Sequence, residues 1–248
     1  MGLPDLGGRV AVITGASRGL GAGLAQDFQA RGIRLGLCAR SAIQFQESDD
    51  VVVEQLDVAD EASFQKFSAR VEDRLGAIDL WINNAGVLEP ISPLRNVTAE
   101  SFRKHVDINL TGVFLGTQIY ARHVRGREGG GVLINISSGA AWKPYAGWGA
   151  YCAAKSGVER LTECVDLEER DQGLRAYSVA PGVVDTDMQA RIRECTEDEF
   201  AEVERFRSLK NDDGFNTTSW IAEHLLRVAF DADAVPESVE FRIPDEKP

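Results

Sequence analysis

Tyr151 and Lys155 stand four residues apart in YCAAK, a spacing that puts both side chains on one face of a helix. An ammonium beside a phenol favours the phenolate and is expected to pull the phenol below its ordinary value of about 10. Such a tyrosine can give a proton to a substrate oxygen or take one from it. The pair alone occurs in many helices. What singles it out is Ser138, thirteen residues upstream, where the apolar run VLINIS ends. Ligands of open α/β sheets bind beyond the carboxyl ends of strands, so a strand-end serine and a helix-start tyrosine can converge there. The serine hydroxyl would then hold the oxygen that the tyrosine protonates.

A second constellation is built for phosphate. Gly15, Ser17, Arg18, Gly19, Leu20 and Gly21 lie in TGASRGLG, between an apolar run and a helical stretch. Glycine there allows a tight turn and lets backbone N–H groups approach a pyrophosphate at a helix N-terminus. The spacing is G-x-x-x-G-x-G rather than the more common G-x-G-x-x-G. A fold that selects NAD places a carboxylate at the end of its second strand for the ribose 2′-hydroxyl. Here that strand ends Leu37-Cys38-Ala39-Arg40. With Arg18 and Arg40 nearby and no acid, a 2′-phosphate is the better partner, and NADP(H) is the expected cofactor. Trp142 and Trp148 lie between Ser138 and Tyr151, where an aromatic face can stack on a planar substrate. Met188 is expected to roof the same site.

The elements that must position these groups alternate. Apolar runs at Val10–Thr14, Ile33–Ala39, Val51–Leu56, Ile78–Ile82, Gly131–Ser137, Leu174–Ala180 and Ser238–Ile243 read as strands. Helical spacing marks Gly19–Arg31, Glu61–Leu75, Ala99–Arg122 and Tyr151–Arg170. Strands this apolar, alternating with helices, imply an α/β, doubly wound Rossmann fold. Its mostly parallel, seven-stranded sheet would carry helices on both faces, and no linker divides residues 1–248 into two domains. The charged stretch 185–216 lacks a strand signal and is expected to form a lid.

Of the 248 residues, 27 are basic and 39 acidic, a net charge of −12 that argues against nucleic acid as a partner. Four dispersed cysteines and three histidines show no metal-ligand spacing, so no metal is expected. No run reaches the roughly 18 apolar residues of a membrane span, and no signal peptide is visible, so a cytoplasmic protein is expected.

TGASRGLG, NNAG at Asn83–Gly86, Asn109 in DINLTG, Ser138, YCAAK and PGVVDT at Pro181–Thr186 together resemble the short-chain dehydrogenase/reductase family, in family order from about residue 8 to 190. The resemblance implies that Tyr151 is the acid/base, that Lys155 tunes it and binds the nicotinamide ribose, and that Ser138 positions the carbonyl. It implies that Asn109 holds a relay water. Asn84, Ala85 and Gly86 would line the cofactor, Asp57 and Val58 the adenine, and Pro181, Gly182, Val184 and Thr186 the nicotinamide end. The ending SVEFRIPDEKP, with DTDMQ at Asp185–Gln189 and RSLKNDDGF at Arg207–Phe215, looks like the sepiapterin reductase branch. There Glu240 would stand where the branch has an aspartate that grips a pterin; the alternative is a surface strand residue.

The expected activity is NADPH-dependent reduction of a ketone, diketone or pterin side-chain carbonyl. The alternatives are the same chemistry run oxidatively and a non-catalytic NADPH sensor. Apolar positions Leu110, Val113, Phe114 and Thr117 on one helix, and Val158, Leu161 and Val165 on another, exceed what one sheet face needs and suggest a homodimer.

Overall fold

The apolar runs do become strands, because each is buried on both faces of one sheet and only a hydrophobic, β-branched-rich segment tolerates that. The computed structural model describes residues 3–211 and 214–247; residues 212 and 213, within the stretch expected to form a lid, lie outside that description. Strands β1 (Val10–Thr14), β2 (Arg34–Ala39), β3 (Val51–Gln55), β4 (Leu80–Asn83), β5 (Gly131–Ile136), β6 (Leu174–Ala180) and β7 (Glu240–Arg242) form one seven-stranded sheet in the order 3-2-1-4-5-6-7. Every pairing is parallel, which sharpens the expected "mostly parallel" sheet. The order reverses between β1 and β4, so a crevice opens beyond their carboxyl ends.

Helices α1 (Gly19–Ala30) and α8 (Thr218–Phe230) cover one face, packed with Ile13, Leu35, Ile134 and Val179. Helix α8 was not anticipated by any sequence signal used above. On the other face lie α2 (Glu61–Leu75), α3 (Ala99–Val106), α4 (Gly112–Val124) and α5 (Gly149–Glu169), around Val12, Trp81, Leu133 and Ala176. Asp60 starts α2 by accepting hydrogen bonds from the N–H groups of Ala62 and Ser63 at 3.1 and 3.3 Å. The single long helix expected over 99–122 is instead α3 and α4 joined through a π-helical turn, Asp107–Thr111, which carries Asn109.

Segment 185–216 contributes α6 (Asp187–Glu194) and α7 (Val203–Asn211), packed on a third cluster that includes Trp148, Tyr151, Phe200 and Phe206. Val113, Thr117, Val158 and Val165 are buried within the chain, so the apolar surplus on α4 and α5 is smaller than their spacing suggests. Phe114 and Leu167 remain exposed on those helices. No helix among the described residues is long and apolar enough to cross a membrane.

Candidate active site

The turn after β1 explains its glycines. Gly15 and Gly19 have φ of +69° and +56°. A Cβ on Gly15 would stand 2.8 Å from the Ala85 Cα, and one on Gly21 would fall on the Gly15 carbonyl. Gly15 and Gly19 thus set the turn, while Gly21 lets α1 close against it. Thr14 Oγ1 accepts the N–H groups of Asn84 and Ala85 at 3.0 and 2.9 Å, which ties the NNAG loop to the end of β1.

Helix α5 aligns its reactive groups with the end of β5. Lys155 is buried, and its ammonium donates to the Ile136 carbonyl at 2.6 Å. Its Nζ lies 5.6 Å from the centre of the Tyr151 ring. Burial pulls the Lys155 ammonium down to about 8. Burial pushes the Tyr151 phenol up to about 12, against a hydrogen bond with Ser138 that lowers it. The phenol therefore moves opposite to the expectation from the lysine, because desolvation of a buried phenolate outweighs an ammonium already engaged by a carbonyl. The consequence is a tyrosine that keeps its proton and is ready to donate it.

Asn109 is fully buried in the π-helical turn. It accepts from the Val87 N–H at 3.1 Å and donates to the carbonyls of Val87 and His105 at 3.0 and 3.1 Å. His105, one turn earlier, was passed over by the sequence reading. Its Nε2 lies 3.2 Å from Asn109 Nδ2, and its ring meets Tyr151 edge-on at 6.1 Å. Burial lowers its pKa, against a hydrogen bond to the Glu89 carbonyl that raises it. The His-x-x-x-Asn spacing on one helix was the available signal.

One cavity of about 890 Å³ brings these groups together. It is lined by Gly15, Ser17, Arg18, Gly19, Leu20, Arg40, Asp57, Val58, Asn84, Ala85 and Gly86, and by Pro181, Gly182, Val184 and Thr186 further along. Asn109, Ser138, Tyr151, Lys155, Trp148 and Met188 line it as well. Gly21 sits behind the wall. Arg18 also pairs with Asp187 at 3.3 Å across an exposed surface, a contact worth little in water. At the reactive end the wall is aromatic. Trp148, backed by the buried Phe200 with centroids 4.4 Å apart, lines it together with Tyr145, Phe206 and Trp142.

Glu240 departs from its expected place. It pairs with Ser178 at the start of β7 and does not line the cavity, whereas Arg242, the last residue of that strand, does. Two residues of strand are about 6.6 Å, so Glu240 stops short of the carboxyl-end crevice. Its neighbours are Glu163, Trp142 and Arg160, and burial together with Glu163 raises its pKa.

The short chain dehydrogenase family matches residues 9–197 of this sequence. The chain belongs to that family. Enzymes of this family use nicotinamide cofactors, and the cradle fits one: Gly15 and Gly21 leave no room for a side chain where the backbone must approach a pyrophosphate. The dehydrogenase is 33% identical to benzil reductase ((S)-benzoin forming) of Bacillus cereus, over 95% of this chain and 99% of that protein. It is 34% identical to 3beta-hydroxysteroid dehydrogenase 1 of Eggerthella lenta, over 75% of this chain and 74% of that one. It superposes on the crystal structure of levodione reductase with a TM-score of 0.82 and 27% identity, covering 96% of each chain. The chain is thus an oxidoreductase acting on CH–OH or C=O groups.

Proposed function

We propose that this dehydrogenase works as an NADPH-dependent reductase of bulky ketones and diketones. The observation that carries the reading is the cavity itself, which joins a proton-retaining Tyr151 to an aromatic wall at one end and Arg18 and Arg40 at the other. The bound nicotinamide supplies hydride. The protein's own groups do the rest. Ser138 and Tyr151 hold the carbonyl oxygen, and Tyr151 gives its proton to the alkoxide that develops there. Lys155 fixes the carboxyl end of β5 through Ile136 and presents a positive charge beside the phenol. Asn109 pins Val87 and the π-helical turn, positioned for the relay water that the family pattern implies.

Preference for the 2′-phosphate is supported by Ala39-Arg40-Ser41 at the end of β2, which lines the cavity without a carboxylate. Asp57, two residues beyond β3, accepts the Ala59 N–H at 3.0 Å and is engaged locally. The benzil reductase relative and the stacked Trp148–Phe200 wall favour substrates with planar, apolar groups. A pterin, the substrate suggested by the sepiapterin reductase-like ending, loses its proposed anchor because Glu240 stands outside the lining. The chain is further proposed to act in the cytoplasm as a homodimer, pairing α4 and α5 through Phe114 and Leu167.

A panel of benzil, cyclic ketones, small aldehydes and sepiapterin, each with NADPH and NADH, tests the reading through loss of nicotinamide absorbance. Turnover of bulky ketones with NADPH is expected. Absence of reduction on the whole panel, or equal use of NADH, overturns it.

A further inference from the structure

Residues 136 and 137, where β5 ends, are held by one stripe of α5. Lys155 donates to the Ile136 carbonyl at 2.6 Å, Glu159 accepts the Ser137 hydroxyl at 2.9 Å, and Tyr151 lines the same cavity as Ser138. Tyr151, Lys155 and Glu159 recur every four positions, so one helical face lies along the chain as it leaves β5. Tyr151 and Lys155 already have roles in the reaction. Glu159 has none, although it is 6% exposed and its carboxylate is costly to bury. A buried charge with a single neutral hydroxyl partner is poor stabilisation, and a leucine there would pack at less cost.

We propose that Glu159 is a positioning residue, which holds Ser137 so that the turn 138–142 presents Ser138 to the substrate carbonyl. The inference rests on the reductase reading above. Trp142, at the far end of that turn, lines the cavity. The same helix supports the turn a second time, since Ser156 donates to the Ala141 carbonyl at 2.9 Å.

The charged groups around Glu159 are Lys155, Arg160 and Glu163 on α5 and Glu240 on β7. Arg160 is paired with Glu163. Burial pushes Glu159 up to about 7; Glu240 and Glu163 push the same way, and the Ser137 hydrogen bond opposes them. Ionised, the carboxylate accepts from Ser137. Protonated, its own O–H must find an acceptor, and the hydrogen bond that tethers Ser137 weakens. The Ser138 geometry should therefore deteriorate as pH falls through about 7.

The test compares the parent with Glu159→Gln, a variant of equal size that cannot ionise. The parent's kcat/KM for a ketone, measured from pH 6 to 9 with NADPH saturating, should show an acidic limb near 7. Glu159→Gln should lack that limb and lie roughly tenfold below the parent at pH 8, the scale of one charge-assisted hydrogen bond. Its affinity for NADPH, read by quenching of tryptophan fluorescence, should be unchanged. Ser137→Ala, which leaves the carboxylate in place, should reduce kcat/KM in the same direction. The double variant should lose no more than the worse single one. A parent that reduces no ketone removes the reductase reading. A parent that reduces ketones, with Glu159→Gln retaining both its rate and its acidic limb, overturns only the role of Glu159. A loss confined to NADPH affinity also overturns it.

Discussion

Replacing Tyr151 by Phe removes one hydroxyl and little else. The ring is 8% exposed, edge-on to Trp148 at 5.8 Å and to His105 at 6.1 Å, and a phenylalanine ring keeps both contacts and the shape of the cavity. With the phenol pushed up to about 12, it keeps its proton at pH 7.5 and is a ready acid for reduction. A positioned general acid contributes about 10²–10⁴-fold. The expected loss in kcat is therefore of that size, or about 2.7–5.4 kcal/mol of barrier. Ser138 still holds the carbonyl oxygen, so the loss should fall on kcat rather than on ketone binding. The assay is steady-state reduction of a bulky ketone followed at the nicotinamide absorbance. NADPH affinity comes from fluorescence quenching, and thermal melting confirms an intact fold. A variant that keeps more than about a tenth of the parent kcat refutes Tyr151 as the proton donor. So does a variant whose loss is matched by weaker NADPH binding.

Arg40→Ala should weaken NADPH by about tenfold or more while leaving NADH nearly unchanged, because a phosphate loses a charge-assisted partner; equal weakening of both in a titration argues against the 2′-phosphate assignment. The kcat of the parent should fall as pH rises through about 8, where Lys155 loses the proton that burial has already loosened; a pH profile flat to 10 counts against it. Trp148→Ala should lower kcat/KM for aromatic ketones more than for a small aliphatic one, since the Phe200 stack is lost at the reactive end; a uniform effect in the substrate panel disproves the aromatic wall. Glu159→Gln should melt higher than the parent above pH 7 and equally near pH 4. The folded-state pKa of Glu159 is raised, so the parent loses stability as pH climbs from the unfolded carboxyl value toward about 7. A melting-temperature difference independent of pH would contradict this.

What the sequence determined by itself is what local spacing can carry. Val10–Thr14, Glu61–Leu75 and Leu174–Ala180 are bounded in the structure as their apolar periodicity indicates. The glycine turn, Ser138 and the Tyr151–Lys155 pair are legible because strand ends and helix starts bring such groups to one crevice whatever the rest of the chain does. Other features needed the tertiary structure. The π-helical turn at Asn109 has no propensity signature, since its extra residue is set by how α3 and α4 pack. The direction of the Tyr151 shift depends on burial, which a four-residue spacing does not encode. Glu240 shows the limit most plainly. Its residue type and strand were legible, but its height along β7 follows from the pairing of Ser178 with Glu240 and of Ala180 with Arg242, and that register puts Arg242 at the cavity. Register is settled by long-range backbone pairing and side-chain packing between β6 and β7, so a short terminal motif identifies a strand without saying which of its side chains reaches the crevice.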